Sequence, residues 1–402
     1  MLRKNNRGIT LIALVVTIIV LLILAGISIS MLTGQNGILN RATEAKEKTE
    51  TSSVDEKRKL AQAEALMNTE RTTYKGVTLP EGFAPTKIDG EDSIDEGLVI
   101  TDGYGNEYVW VEVPKTAEVY KNSGLGITGF SDEECGKIEN DLKKYTEGYS
   151  DSNYNDRNLL YAEQYKNMLK SIYENKGFFV GRYEAGYEID ESKNEKTRYY
   201  DKDYANKHPT EQKAVIKKDV YPYNWVRQSQ AQMLAENMNY KGCTRSLMFG
   251  LQWDLVLRFI EEKTVESANG DKENTRIDIR HKLQSDSTDV GNYNDNVWNV
   301  ENKNAKYSKD NGNIFVKCPY QKKNNESILL TTGADEKVAL INIYDIAGNV
   351  MEWTLEFYAS DKPSVCRGGR YYSGEGGHPA KFHNANDSAI SDYGIGFRIA
   401  IY

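Results

Sequence analysis

The sequence predicts an α+β protein in which a long N-terminal helix precedes a domain of short strands, a few helices and irregular loops. Three observations lead to this prediction. Residues 9–29 form an uncharged, mainly apolar run, and residues 38–67 are rich in Ala, Glu and Lys. From residue 97 onward, short strand-like segments are bounded by Gly, Pro, Asn and Asp. With 402 residues, of which 39% are hydrophobic, the chain is long enough to bury a substantial core.

Composition narrows the functional class. The net charge of −8 argues against nucleic-acid binding, which needs clustered Lys and Arg to neutralise phosphates. The chain contains 27 Tyr, and tyrosine-rich surfaces suit recognition because each ring gives much contact area for little lost freedom. Cys135, Cys243, Cys318 and Cys366 form no CxxC pair, which argues against a zinc cluster but leaves room for one or two disulfides outside the cell. Composition therefore favours an extracellular or surface binding domain.

The apolar run at residues 9–29 is long enough to cross a membrane. At about 1.5 Å per residue, a helix of this length spans a hydrocarbon core of about 30 Å. Arg3, Lys4 and Arg7 precede the run, so the positive-inside rule keeps the N-terminus in the cytoplasm and exports the rest. An ordinary signal peptide differs from this run, because its apolar core is shorter and is followed by a small-residue cleavage site.

The residues Gly8-Ile9-Thr10-Leu11-Ile12 resemble the N-terminus of type IV prepilins. The resemblance implies a leader (1–8) that prepilin peptidase removes after Gly8, and N-methylation of the new N-terminal residue, Ile9. It also implies that the apolar helix (9–33) lies in the membrane before it packs with other pilin subunits in a filament core. The family's usual glutamate is replaced by Ala13, which favours a minor or tip subunit, or a pseudopilin. The alternative is an uncut signal anchor.

The remaining chain is divided by its composition and periodicity. Residues 34–75 are predicted as a helical stalk with opposite charges three or four positions apart, and residues 76–96 as a linker. Strands are predicted at 97–101 and 107–114, which form a hairpin, and at 177–184. Helices are predicted at 161–174, 228–238 and 252–262, and long loops at 264–313.

A set of ordered motifs near the C-terminus resembles the domain of formylglycine-generating enzymes. The motifs are Tyr344–Thr354, Arg367-Gly368-Gly369 and Gly396-Phe397-Arg398, preceded by the matching segments Tyr108–Val111, Val180–Glu184, Trp225–Ala235 and Ser246–Asp254. The resemblance spans residues 97–402. It implies a C-type-lectin-like fold with short sheets, two helices and much irregular loop.

Several of these residues have a structural explanation. Gly348 and Asn349 permit a tight turn with unusual backbone angles. Trp353, with Trp110 and Trp253, is expected to anchor a core that has little regular structure. Arg398 is expected to make a buried, charge-assisted hydrogen bond near the chain end.

The resemblance also implies a calcium site at the turn. Its ligands are the side-chain oxygens of Asp345 and Glu352 and the backbone carbonyls of Gly348 and Val350, and such oxygen ligands suit a hard cation. The alternative is that Asp345 caps the turn while Glu352 pairs with a surface cation.

The cysteine pattern argues against oxidase activity. Formylglycine-generating enzymes use a copper-binding cysteine pair between the Gly-Gly and Gly-Phe-Arg landmarks, where this chain has no cysteine. Cys366 lies before that interval, so no copper is expected and the chain is predicted not to be an enzyme of this type. His378 and His383 are interpreted either as metal ligands or, preferably, as two solvent-exposed histidines.

The same interval is predicted to bind a ligand. It is interpreted as an exposed, Gly-rich loop whose polar and aromatic side chains make adaptable contacts, and in related lectin-like proteins this stretch lines the ligand face. The candidate residues are Arg370, Tyr371, Tyr372, Ser373, Glu375, His378, Lys381, Phe382, His383, Asn384, Asn386 and Asp392. The alternative is a poorly constrained surface loop.

Together these features predict an exported, pilin-like minor or tip subunit that displays a non-catalytic, lectin-like head. The expected ligand is a carbohydrate or a protein, and nucleic acid is not expected. The expected location is the cytoplasmic membrane with an extracellular C-terminal domain, then the cell surface or a pilus. Two alternatives stay open: a signal-anchored surface receptor that does not polymerise, and an exported enzyme of the formylglycine family.

Overall fold

The structure is a computed structural model that describes residues 14, 17–18, 38–156, 158–193, 210–238, 240–374 and 377–402. The chain divides into two compact units, residues 1–59 and 60–402. The predicted leader and all but three residues of the predicted apolar helix lie outside the described residues, as do Gly8 and Ile9. In the part of the chain that is described, no helix is both long and apolar enough to cross a membrane.

The described residues form six α-helices and a larger number of short strands. The helices are Ile38–Met67 (α1), Asp132–Tyr145 (α2), Ala162–Asn175 (α3), Gln228–Glu236 (α4), Gly250–Glu266 (α5) and Lys272–Gln284 (α6). Single 3-10 turns cover Leu159–Tyr161, Glu191–Lys193 and Glu336–Val338. The helix α1 lies within the predicted stalk, and α3, α4 and α5 confirm the three other predicted helices.

The strands are mostly two to four residues long. They are Thr72–Tyr74 (β1), Val77–Leu79 (β2), Phe83–Pro85 (β3), Val99–Asp102 (β4), Glu107–Glu112 (β5), Gly177–Gly181 (β6), Gly186–Tyr187 (β7), Tyr221–Pro222 (β8), Arg245–Leu247 (β9), Asn299–Val300 (β10), Lys306–Ser308 (β11), Val316–Lys317 (β12), Tyr320–Gln321 (β13), Leu329–Leu330 (β14), Ala339–Leu340 (β15), Ile343–Tyr344 (β16), Met351–Thr354 (β17), Ser364–Arg367 (β18), His383–Asn386 (β19), Ile395–Phe397 (β20) and Ile399–Ile401 (β21).

Two helices, α2 and α6, were not predicted from the sequence. The N-terminus of α2 is fixed by a capping box: the Ser131 hydroxyl accepts the Glu134 N–H at 3.3 Å, and the Glu134 carboxylate accepts the Ser131 N–H at 2.9 Å. Helix α6, inside the predicted loop region 264–313, begins after Asp271, whose carboxylate accepts the Glu273 N–H at 3.0 Å. Both caps are visible in the sequence, but the polar surroundings hid the short apolar faces that follow them.

The larger sheet has six strands in the order β3-β4-β5-β6-β21-β9, and every neighbouring pair is antiparallel. The predicted hairpin supplies β4 and β5, and the last strand of the chain, β21, lies between β6 and β9. Strand β3 belongs to the segment 76–96, predicted as a linker. Phe83 in β3 is completely buried, with ring centroids 5.7 Å from Tyr108 and 4.8 Å from Tyr240. These apolar contacts place the segment in the sheet.

The smaller sheet has four strands in the order β19-β18-β17-β20. Strands β17 and β20 run parallel, with Met351 opposite Ile395, and the other pairs are antiparallel. This sheet places both predicted sites in one region, because the calcium candidates lead into β17 and several ligand candidates form β19.

The tryptophans hold the core, as predicted. Trp110, Trp253 and Trp353 are 4%, 0% and 1% exposed. The Trp253 indole N–H donates to the Ala380 carbonyl at 3.0 Å, and the Trp353 indole N–H donates to the Val226 carbonyl at 2.8 Å. Each ring therefore joins a regular element to an irregular segment, which is how a domain with short strands stays ordered.

Candidate functional site

The turn before β17 has the strained geometry that its sequence predicts. Asp345, Gly348 and Asn349 have positive φ angles of 55°, 74° and 52°. A Cβ atom on Gly348 would lie 2.4 Å from the Asn292 carbonyl oxygen, so only glycine fits there. The Asn292 side-chain amide donates to Asn349 Oδ1 at 2.9 Å and closes the turn against a second segment.

Arg398 makes the buried hydrogen bonds that the sequence predicts. The Arg398 side chain is completely buried, and its Nη2 lies 2.6 Å from Glu352 Oε1 while its Nε lies 2.9 Å from Glu352 Oε2. The same guanidinium donates to the Gly181 carbonyl at 2.8 Å and the Tyr344 carbonyl at 2.7 Å. One arginine thus joins both sheets and the turn.

Two further carboxyl groups are buried beside this ion pair. Burial, with the charges of Asp345 and Glu352, raises the pKa of Glu184 well above its usual value. Burial likewise raises the pKa of Asp345 to about 7, although its Oδ2 accepts the Gly333 N–H at 2.7 Å. Three carboxyl groups therefore face a single guanidinium, and burial favours their protonated forms.

This arrangement does not fit a calcium site built on Glu352. Both Glu352 oxygens are engaged by Arg398, and one Asp345 oxygen accepts a backbone N–H. No group of three or more His, Cys, Asp or Glu side chains in the described part of the chain is arranged to hold a metal ion. A calcium ion ligated by Glu352 at this turn would have to displace the guanidinium.

The predicted ligand-binding segment is more ordered than an exposed loop. His383–Asn386 form β19, which pairs with β18 along its whole length. Tyr371 is completely buried and Ser373 is 7% exposed. Glu375 lies outside the described residues. The other predicted residues are half-buried: Arg370, Tyr372, His378, Lys381, Phe382, His383, Asn384, Asn386 and Asp392. The loop interpretation was wrong for this strand, because the buried strand β18 offers a partner that the sequence does not reveal.

Aromatic rings from distant parts of the chain meet at this segment. The Tyr372 ring centroid lies 4.9 Å from Tyr371 and 5.3 Å from Tyr393, and Tyr393 lies 5.9 Å from Trp225. The guanidinium carbon of Arg370 stands 4.2 Å from the Tyr372 ring centroid. Trp225 and Tyr393 were not predicted as ligand residues. The sequence offered one indication of their role: Trp225 begins one of the family segments, and Tyr393 lies just before Gly396-Phe397-Arg398.

Side chains of β19 contact a buried thiol, that of Cys366. The side-chain amides of Asn384 and Asn386 donate to Cys366 Sγ at 3.7 and 3.4 Å. Burial raises the pKa of the Cys366 thiol, which the charge of Arg370 lowers and the charge of Asp392 raises. We define the recognition face as the half-buried residues gathered here, namely Trp225, Arg370, Tyr372, Asn384, Asn386, Asp392 and Tyr393.

His383 lies in a different environment from the solvent-exposed one expected. Its side chain is 7% exposed, its Nε2 lies 3.3 Å from Glu356 Oε1, and its ring stacks 4.5 Å from Tyr154. Burial, followed by the positive charge of Arg367, lowers the pKa of His383 to about 3. Burial raises the pKa of Glu356 to about 7. The histidine is therefore a neutral part of the packing, because charging it would place a cation beside Arg367.

His378 has separate partners. Its ring meets Phe382 edge-on with centroids 4.2 Å apart, and its carbonyl accepts the Tyr293 hydroxyl at 2.7 Å. Burial, followed by the charge of Arg370, lowers the pKa of His378. The two histidines thus contact different groups, which gives no support to the shared metal site considered from the sequence.

The four cysteines all lie in the described part of the chain, and none of them forms a disulfide. Cys366 is completely buried, and burial raises the pKa of its thiol to about 12. The sulfur atom near it belongs to Met351, at 3.7 Å. Cys366 is therefore held as a protonated thiol.

The chain belongs to a known family. The family model described as the sulfatase-modifying factor enzyme 1-like domain matches residues 163–402, more than half of the chain. This confirms the formylglycine-generating-enzyme-like part of the sequence prediction.

Two solved structures show a similarity. "Crystal Structure of CarF" is 15% identical, with a TM-score of 0.30, over 56% of this chain and 86% of that one. "Treponema denticola variable protein 1" is 12% identical, with a TM-score of 0.21, over 83% of this chain and 91% of that one. No curated protein matches the chain.

Proposed function

We propose that the chain is an exported, pilin-like subunit whose family domain is a non-catalytic head that binds a ligand through the recognition face. The observation that carries the proposal is the composition of that face. Rings, amides and a guanidinium from residues 225, 370–372 and 384–393 gather on one region beside the smaller sheet. Half-buried rings give contact area without much loss of rotamer freedom on binding, and amides add directional hydrogen bonds.

The neighbouring turn before β17 is a less suitable ligand-binding site than the recognition face. Asp345, Glu352 and Arg398 are 0–2% exposed and bond to one another or to the backbone. A ligand cannot reach these groups without disrupting the core. Arg370, Tyr372 and Asn384 of the recognition face are, in contrast, half-buried residues. The two regions are therefore assigned to architecture and to recognition, respectively.

A non-catalytic role is supported by the cysteines. The formylglycine chemistry implied by the family needs two thiolates that act together. Here Cys366 has the thioether of Met351 beside it, and its high pKa keeps the thiol protonated at neutral pH. Family membership favours the alternative of an exported enzyme. Oxygen consumption with a cysteine-containing peptide tests it: any turnover abolished by Cys366→Ser would establish an enzyme.

The pilin-like role is supported by the sequence alone. Gly8 and Ile9 at the start of the apolar run predict removal of the leader by prepilin peptidase, followed by methylation. In this proposal the subunit passes from the cytoplasmic membrane to the cell surface or a pilus, where it contacts other pilin subunits. Ala13 favours a minor or tip position over the major repeat.

The intact mass and N-terminal residue of the protein from its native cells test this half of the proposal. A methylated Ile9 is expected. An intact Met1 would instead indicate a signal-anchored receptor, and the head could still bind its ligand.

Binding of the full chain, in detergent, to an array of neutral and acidic glycans and surface proteins tests the other half. Tyr372→Ala is expected to abolish a signal that Tyr104→Ala retains, because Tyr104 is a 78% exposed tyrosine in the β4–β5 turn. If the two variants bind equally, the recognition face is not the binding site. An array that the wild-type protein does not bind at all contradicts the ligand-binding function.

A further inference from the structure

Arg370 differs in its partners from the other buried and half-buried arginines among the described residues. Arg182, Arg258, Arg276, Arg280, Arg367 and Arg398 each contact a carboxylate oxygen, and Arg245 donates to backbone carbonyls. Arg370 is also half-buried, but within the described part of the chain its guanidinium has no carboxylate within ion-pair distance and rests on the Tyr372 ring. A half-buried cation in this position keeps its charge available to a ligand.

A second buried nitrogen without a hydrogen-bond partner among the described residues belongs to His378, which lies close to Arg370 in the fold. Arg370 Nε and His378 Nδ1 are both buried nitrogens that find no hydrogen-bond partner among the described residues. The fold brings the two residues together, because a Cβ atom on Gly369, the neighbour of Arg370, would collide with the His378 carbonyl oxygen, and the charge of Arg370 contributes to lowering the pKa of His378. A buried polar nitrogen normally has a partner, so the Arg370 guanidinium is suited to donate to an acceptor from outside the chain, and His378 Nδ1 can donate or accept according to its tautomer.

The acidic neighbours are already engaged. Asp392 Oδ1 accepts the Tyr372 hydroxyl at 3.2 Å and the Gly394 N–H at 2.8 Å. The stack on Tyr372 also holds the planar guanidinium in one orientation, and a guanidinium held in this way can bind a carboxylate or sulfate group through two parallel hydrogen bonds.

We propose that Arg370, supported by the Tyr372 ring and with His378 beside it, forms a subsite for the carboxylate or sulfate group of an acidic saccharide. This inference rests on the ligand-binding function proposed above and names the class of ligand. The sugar ring would lie against Tyr372, Tyr393 and the amides of β19, while its acidic group meets the guanidinium.

Saturation-transfer difference NMR on the full chain in detergent tests the subsite. The probes are glucuronic acid, glucose 6-sulfate, glucose and a short oligoglutamate peptide. The wild-type protein is expected to transfer saturation to the two acidic sugars more strongly than to glucose. Arg370→Gln is expected to weaken acidic-sugar binding about tenfold, which is the usual effect of losing a charge-assisted hydrogen bond. Arg370→Lys is expected to retain part of it, since the charge stays while the planar fork is lost.

The control is Arg41→Gln, which removes one exposed arginine from α1 and is expected to leave binding unchanged. The melting temperature of each variant shows whether the fold is intact. Equal signals from glucuronic acid and glucose, or unchanged binding by Arg370→Gln, would overturn the subsite and leave the ligand-binding function standing. Stronger binding of the oligoglutamate peptide would overturn the saccharide assignment. Absence of binding to every probe, together with an empty array, would overturn both proposals.

Discussion

Two neighbouring regions, each with asparagine side chains and one arginine, use these residues in opposite ways. In the turn before β17, Arg398 is completely buried and bonds to Glu352 and two carbonyls. In the recognition face, Arg370 is half-buried and lies on a tyrosine ring. The arginine whose Nε, Nη1 and Nη2 are all hydrogen-bonded belongs to the core, whereas we infer a recognition role for the arginine whose Nε has no partner among the described residues.

The largest expected effect comes from removing the buried arginine. Arg398→Met leaves Glu352 buried without its partner, which should lower the free energy of unfolding by about 3–5 kcal/mol. Arg370→Met should change it by less than about 1 kcal/mol, since no buried charge is left behind. Urea unfolding of the two variants measures both values. Equal losses would break the distinction between the two regions.

The next effect concerns the turn itself. Gly348→Ala places a Cβ atom 2.4 Å from the Asn292 carbonyl oxygen at a φ of 74°, so a loss of about 2–3 kcal/mol is expected. Gly374→Ala in the ligand segment is the matched control, because its Cβ would meet Asn294 Oδ1 at 3.3 Å and its φ is not in the left-handed region. Unfolding curves of the two alanine variants that coincide would show that the turn can relax.

The free energy of unfolding is expected to depend on pH through Glu356. The folded-state pKa of Glu356, about 7, exceeds its ordinary value of 4.5, so the stability linked to its protonation is present below about pH 4.5 and is lost as the pH rises through 7. Glu356→Gln should reduce this pH-dependent loss of stability by on the order of 2 kcal/mol. The groups facing Glu356 are Arg367, His383, Asp156, Asp151 and Lys143.

His383 acts in the opposite direction. Its folded-state pKa of about 3 lies below 6.5, so its contribution is present above pH 6.5 and is lost as the pH falls toward 3. This acid-side loss should survive in Glu356→Gln. The control is Glu163→Gln, a carboxylate that is 87% exposed, and its stability profile from pH 4 to 8 should match that of the wild type. A Glu356→Gln profile as steep as the wild type would contradict the assignment.

The smallest expected effect is that of calcium. Because Arg398 occupies both Glu352 oxygens, the melting temperature should differ by less than about 1 °C between excess calcium and a chelator. A rise of several degrees with calcium would show that the ion displaces the guanidinium, and would restore Asp345 and Glu352 as ligands. Asp345→Asn measured under both conditions would then locate the site.

Local patterns predicted the regular elements well where apolar periodicity was strong, as in α3, α5 and the hairpin of β4 and β5. They failed for α2 and α6, whose buried residues are few and widely spaced among charges. They also failed for β19, because a strand of four polar or small residues, His383–Asn386, forms only against a partner already in place. The pairing of β19 with β18 therefore depends on the tertiary structure.

By itself, the sequence determined the family of the head, the tight turn at Gly348 and Asn349, the tryptophan core and the burial of Arg398. These features follow from residue types whose local chemistry admits few alternatives, such as a glycine that must adopt a positive φ or an indole that must be buried. Only the tertiary structure determined which partners the polar side chains have. It paired Glu352 with Arg398, buried His383 against Glu356, and left Arg370 on Tyr372. The first two pairings join residues 46 and 27 positions apart, so spacing along the chain could not reveal them. Arg370 and Tyr372 are near neighbours in the sequence, and only the fold placed the guanidinium over the ring.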